Sequence, residues 1–219
     1  MLRALDRSRR FSAPAIRFND RRGRLCVTLG LLVMLVAFPS PVLAHDGTGL
    51  SGGFVAGFTH PLSGLDHMLA MVAVGIWGAF LGRPLIYWLP MLFPGIMALG
   101  GGMSMAGIPL PPVELGIAIS VGVLGAMILF ALRLPALLAC AIVAMFGLFH
   151  GYAHGLELPS ATDPIGYSAG FVLCTGLLHL AGIALGQFRA FPAGTMALRG
   201  VGGTMALAGV WFMLAALPA

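Results

Sequence analysis

The chain has 219 residues, of which 59% are hydrophobic and only 9% charged, and its mean hydropathy is +0.99. A soluble domain carries roughly 25% charged residues, so a water-soluble fold is excluded and a membrane protein is indicated. The formal charge of +5 is concentrated at the start: residues 1–44 hold eight arginines against two aspartates, and residues 45–219 hold four arginines against five acids. No lysine occurs and no basic patch is interleaved with aromatics, so no nucleic-acid partner is expected.

Leu25 to Phe38 is apolar but short for a span. Arginines precede it, and Pro39, Pro41 and the small-residue ending Val42-Leu43-Ala44 follow it. This reads as a signal peptide over residues 1–44. Cleavage after Ala44 exposes His45-Asp46 on the outer side; an uncleaved first helix is the other reading. Of three cysteines, Cys26 falls in this leader, and Cys140 and Cys174 lie in apolar stretches without CxxC spacing. No disulfide framework is expected, and the two act as small packing residues.

Residues 45–219 read as one transmembrane helical domain. Leu50 to Thr59 is too short to cross and is expected as a short non-spanning helix at or dipping into the outer surface. Spans are then expected near 65–82, 85–106, 112–132, 135–154, 165–187 and 196–217, each about the length a bilayer demands. The fold class is an all-α polytopic bundle of about six transmembrane helices. Arg83, Arg133, Arg189 and Arg199 all fall on one side, while Glu114, Glu157 and Asp163 fall on the other. The positive-inside rule therefore puts both mature termini outside, in the periplasm if the membrane is a bacterial inner membrane. Abundant glycine (32 residues) permits close helix approach.

Chemistry is carried by the few polar residues in this apolar chain, because intramembrane ionisable groups are costly and usually functional. The first cluster is His60-Pro61-Leu62-Ser63-Gly64-Leu65-Asp66-His67, followed by Met71. Pro61 and Gly64 are expected to break the chain and let His60 fold back. Asp66 and His67 are adjacent, so one can bind an ion while the other orients a neighbour. Met71, four residues on, is a packing residue or a soft ligand.

The second cluster is His150-Gly151-Tyr152-Ala153-His154-Gly155-Leu156-Glu157. His150, His154 and Glu157 follow i, i+4, i+7 and line one helical face. Two imidazoles and a carboxylate suit nickel, cobalt, copper or zinc better than magnesium or calcium. Span one runs inward from its cluster and span four outward to its own, so both are expected near the outer surface, with His45, Asp46 and Asp163. His179, roughly 21 Å along the fifth span at 1.5 Å per residue, marks a deeper point. Tyr152 is expected as an interface anchor.

Through His60-Pro61-…-Gly64-Leu65-Asp66-His67-…-Ala70-Met71 and Phe149-His150-Gly151-Tyr152-Ala153-His154-Gly155-…-Glu157, the sequence resembles the HupE/UreJ family of nickel permeases over essentially the whole mature chain. Its His-x5-Asp-His motif is one residue longer than the His-x4-Asp-His of another nickel/cobalt permease family. The resemblance implies an inner-membrane permease that imports Ni2+, with Co2+ as the competing cargo, and is linked to hydrogenase or urease maturation. It carries His60, Asp66, His67, His150, His154 and Glu157 over as the metal site, with His45-Asp46 resembling a His-rich mature start. The expected partners are the metal ion and the lipid bilayer, with no permanently bound cofactor. Two rival readings use the same residues. One is an intramembrane zinc hydrolase, with Ser63 as the nearest nucleophile candidate but no HExxH. The other is a membrane assembly partner for a nickel enzyme. No GxxxxGK[ST] loop is present, so the chain is not itself an ATPase.

Overall fold

A computed structural model describes residues 50–110, 112–157 and 163–217, all within the unit Pro41–Ala219. The proposed signal peptide and His45-Asp46 lie outside the described residues, as does the side chain of Glu157. The described residues form helices only: α1 (Leu50–Ser63), α2 (Leu65–Leu81), α3 (Leu85–Met105), α4 (Val113–Leu129), α5 (Ala136–Glu157), α6 (Pro164–Gly186), a single 3-10 turn (Gln187–Ala190) and α7 (Pro192–Ala215). The expected spans are matched to within a few residues at most ends. α7 begins earlier, at Pro192, which puts Arg199 about two turns inside the helix rather than at its first turn.

α3, α5, α6 and α7 are each long and apolar enough to cross a bilayer, and α1 and α2, bent by 82° at their junction, are together long and apolar enough for a broken span or a re-entrant loop. α4 has 17 residues, about 26 Å at 1.5 Å per residue, slightly under the roughly 30 Å hydrocarbon core. The expected short helix is longer than the sequence suggests. α1 runs through His60 and Pro61 to Ser63, and the break falls at Gly64 alone. Pro61 removes only the hydrogen bond to the Gly57 carbonyl, and contact with α6 holds the helix across that gap.

Close approach explains which helices pair. A Cβ on Gly57 would run into the Tyr167 backbone, and one on Gly170 into the carbonyl of Phe54, so α1 lies against the first half of α6. α2 takes the second half: a Cβ on Gly75 would meet the His179 carbonyl, and one on Gly182 the Val72 carbonyl. α3 and α5 meet through Gly100, Gly151 and Gly155, and α4 and α7 through Gly122, Gly125, Gly202 and Gly209. Lipid gives helices no hydrophobic drive to associate, so these backbone contacts supply much of the attraction. The core is a single cluster around Trp77, Phe93, Phe146, Leu124 and Ile128.

At one end of the bundle the turns are tied by polar side chains. Trp77 Nε1 donates to the Leu132 carbonyl in the turn after α4 at 3.0 Å, and Arg199 Nε to the Leu129 carbonyl at 2.7 Å, one that the end of α4 leaves open. Arg83 lies 5.7 Å from the centre of the Tyr87 ring. The connections around Arg83, Arg133 and Arg189 belong to this end. The other end holds Asp163, which caps α6 by accepting from the Gly166 amide at 3.0 Å. Tyr152, expected as an interface anchor, is buried in the bundle, with its amide close to Gly100 of α3. Cys140 and Cys174 are both free thiols.

Candidate metal pathway

One hydrogen-bond partner fixes each of the two central imidazoles. Gly64 precedes α2 without a capping side chain, so Asp66 in the first turn takes that role: its Oδ1 accepts from the His67 amide at 2.8 Å and lies 2.9 Å from His67 Nδ1. An acid here also suits the positive end of the helix dipole. With Asp66 ionised, His67 donates from Nδ1, which leaves Nε2 as the lone-pair nitrogen. That Nε2 is buried and makes no hydrogen bond. On α5, His150 repeats the arrangement. Its Nδ1 donates to the Phe146 carbonyl at 2.9 Å, and its Nε2 is buried without a partner.

The two rings stand 4.7 Å apart, centre to centre. His154, one turn beyond His150, lies 4.5 Å from the His67 ring and 4.9 Å from the His60 ring. His60 Nε2 and His154 Nδ1 are 3.0 Å apart, so one donates and the other accepts. The sequence clusters, 83 residues apart from His67 to His150, are thus brought into one group of four imidazoles. The structure assigns the adjacent pair as the sequence allowed: His67 presents the free nitrogen and Asp66 orients it. Met71 is wholly buried in the core. Ser63, the nearest nucleophile candidate, donates its hydroxyl to the His60 carbonyl at 2.6 Å.

The group is sunk below the end of the bundle rather than laid on it. His60 contacts Tyr167 and Phe171, with ring centres at 5.8 and 6.1 Å, and His154 contacts Phe171 at 4.5 Å. These aromatics lie one and two turns into α6. From the group a line of rings continues inward: Phe93 stands 5.3 Å from His150 and 5.5 Å from His179. His179 is 1% exposed; the Thr175 backbone one turn back lies within reach of the ring, and at least one ring nitrogen is buried without a hydrogen-bond partner. Nearby in sequence, the Thr175 hydroxyl is buried and unpartnered as well.

Tyr167, Phe171 and Phe93 were missed by sequence reasoning. Tyr167, Phe171, Thr175 and His179 recur every four residues and so share a slowly winding face of α6. That stripe was the available signal. Among the described residues no three His, Cys, Asp or Glu side chains are disposed to grip one ion together. The reason is visible in the contacts: His60 and His154 turn nitrogens toward each other, and the carboxylate of Asp66 is engaged by His67. The arrangement offers two fixed imidazole lone pairs, at His67 and His150, and two further imidazoles that must reorient to contribute.

A family model described as HupE / UreJ protein matches residues 32–212. The chain is 44% identical over 176 residues to Protein HupE of Rhizobium leguminosarum bv. viciae, an alignment that covers 80% of this chain and 92% of that protein. No solved structure matches it. With the family pattern running across every described helix that lines the imidazole group, the chain belongs to the HupE / UreJ family.

Proposed function

We propose that this multi-pass membrane protein is a permease that imports a divalent transition-metal ion, Ni2+ before Co2+, from the periplasm across a bacterial inner membrane. The observation that carries the reading is the pair His67 and His150. Each has Nδ1 tied down and Nε2 buried with an unused lone pair, and their rings are 4.7 Å apart. Metal-binding histidines are oriented in this way, by a carboxylate or a carbonyl on the other ring nitrogen. Imidazole selects the later transition metals over Mg2+ and Ca2+. The preference for nickel, and a link to hydrogenase or urease maturation, rest on family membership.

A two-nitrogen seat that is not closed by further ligands suits transport. An ion held by a complete shell would not leave again. At the Gly64 break the negative pole of α1 and the positive pole of α2 meet beside the imidazole group, so the attraction for cations comes from the Asp66 carboxylate rather than from either dipole. The membrane potential would draw the ion inward with about 2.3 kcal/mol per charge per 100 mV. In this reading both mature termini are periplasmic, Asp66 is a positioning residue, Glu157 with His45 and Asp46 gather ions outside, and the protein is not an enzyme.

Uptake of radiolabelled Ni2+ into cells or vesicles bearing the protein tests the proposal, with His67→Ala and His154→Ala as controls. Saturable uptake by the parent chain, lost in both variants, is the expected result. No uptake by correctly inserted parent protein would overturn it.

A further inference from the structure

Phe93 occupies a position that neither motif includes. Its ring is wholly buried and stands edge-on to two imidazoles, His150 at 5.3 Å and 62° on one side and His179 at 5.5 Å and 70° on the other. Both histidines carry buried nitrogens without hydrogen bonds, and unsatisfied polar atoms in an apolar interior are expensive. A phenyl ring thus separates two groups that can each bind a metal ion, and it offers an ion no lone pair. The ring is wholly buried between the two, so an ion on one side meets it before the other while it stays in place.

The segment that carries the ring is unusual. Pro90 and Pro94 lie within α3 on either side of Phe93. Neither has an N–H, so the carbonyls of Ile86 and Pro90 lose their regular helical partners. Such a stretch bends and relaxes more easily than an unbroken helix. The backbone itself is held by α5, since a Cβ on Gly147 would lie 2.9 Å from the Phe93 carbonyl. Movement therefore falls mainly to the side chain, by rotation about its first bond in a locally loosened helix.

We propose that Phe93 is the barrier residue of the pathway, dividing an outer station that ends at His150 from an inner station at His179, and that it sets which ions pass and how fast. The proposal rests on the permease reading above. Apolar constrictions gate by excluding water. Mg2+ gives up its water reluctantly and prefers oxygen ligands, so an intact phenyl barrier blocks it, while an ion that exchanges water for imidazole on either side can cross when the ring rotates.

The test uses the full chain in proteoliposomes that enclose a metal-responsive dye, with parent protein, Phe93→Ala, Phe93→Leu and Phe93→Trp compared for Ni2+ and Mg2+ entry. The Phe93→Ala variant should admit Mg2+ at least about fivefold faster than the parent, with Phe93→Leu intermediate and Phe93→Trp slowing Ni2+ about tenfold. If Phe93→Ala does not insert as a monodisperse protein, the leucine and tryptophan variants decide the matter by the same readings. Parent uptake of Ni2+ accompanied by unchanged rates and an unchanged Ni2+ to Mg2+ ratio in all inserted variants would overturn the barrier and leave the permease reading intact. Failure of the parent itself to take up Ni2+ would overturn the permease reading, and the barrier with it.

Discussion

The α1/α2/α5/α6 side of the bundle and the α4/α7 side are built by the same device and differ in what they enclose. In each, glycines bring backbones into contact: Gly75 meets the His179 carbonyl on one side, and Gly125 meets the Ala206 amide on the other. Among the described residues, the α4 side buries one polar residue, Ser120, whose hydroxyl is absorbed by the Ile117 carbonyl at 2.6 Å. The other side buries His150 and His179 with nitrogens left unused. Close approach is therefore scaffolding common to both. Function resides where polar atoms are buried and denied partners.

This contrast can be broken in several ways, the largest first. His67→Ala and His150→Ala should each abolish saturable Ni2+ uptake, a loss of at least about tenfold, while insertion and monodispersity on gel filtration stay normal. Normal uptake in either would show that the unpaired nitrogens are structural. Asp66→Asn keeps the side chain's shape but weakens its grip on His67, and should raise the half-saturating Ni2+ concentration by about 10–100-fold.

Gly75→Leu and Gly125→Leu should both lower the thermal midpoint, through overpacking of about 1–3 kcal/mol, but only the first should also reduce uptake per folded molecule, because it displaces α6 where it carries His179. Equal uptake defects would erase the distinction between the two sides. Acidification supplies a milder test. Protons compete with the metal ion for the imidazole lone pairs, so uptake should fall as the pH is lowered. The smallest change is expected from Ser120→Ala, within about 0.5 kcal/mol of the parent in stability and with uptake unaltered, since the lost hydroxyl served only its own helix.

Much of the scaffold is legible in the sequence, for a physical reason. Helices in lipid must be long and apolar, and Pro, Gly and charged residues mark their ends, as at Gly82-Arg83-Pro84 and Ala131-Leu132-Arg133. The imidazoles are legible for the converse reason: His67, His150 and His154 belong to short polar clusters that stand out from long apolar helices. Phe93, Tyr167 and Phe171 are invisible by that criterion. An aromatic in an apolar helix looks the same whether it faces lipid or a histidine, and only the pairing of helices through particular glycines tells the two apart. The end of α1 was misread because Pro61 signals a break in isolation, whereas contact with α6 carries the helix past it to Gly64.

The 82° bend at Gly64 turns the length of the first motif into a ruler. On a straight helix His60 and His67 would stand about 10.5 Å apart along the axis, too far for both to touch one ring. Folded at the intervening glycine, they close on His154 from two sides. Each residue between them sets an angle of about 100° as well as a distance. One residue more or fewer would rotate His60 toward lipid, even with every side chain of the motif retained. Descendants of this chain can exchange apolar residues freely on its outer faces, but between these two histidines they are bound to keep count.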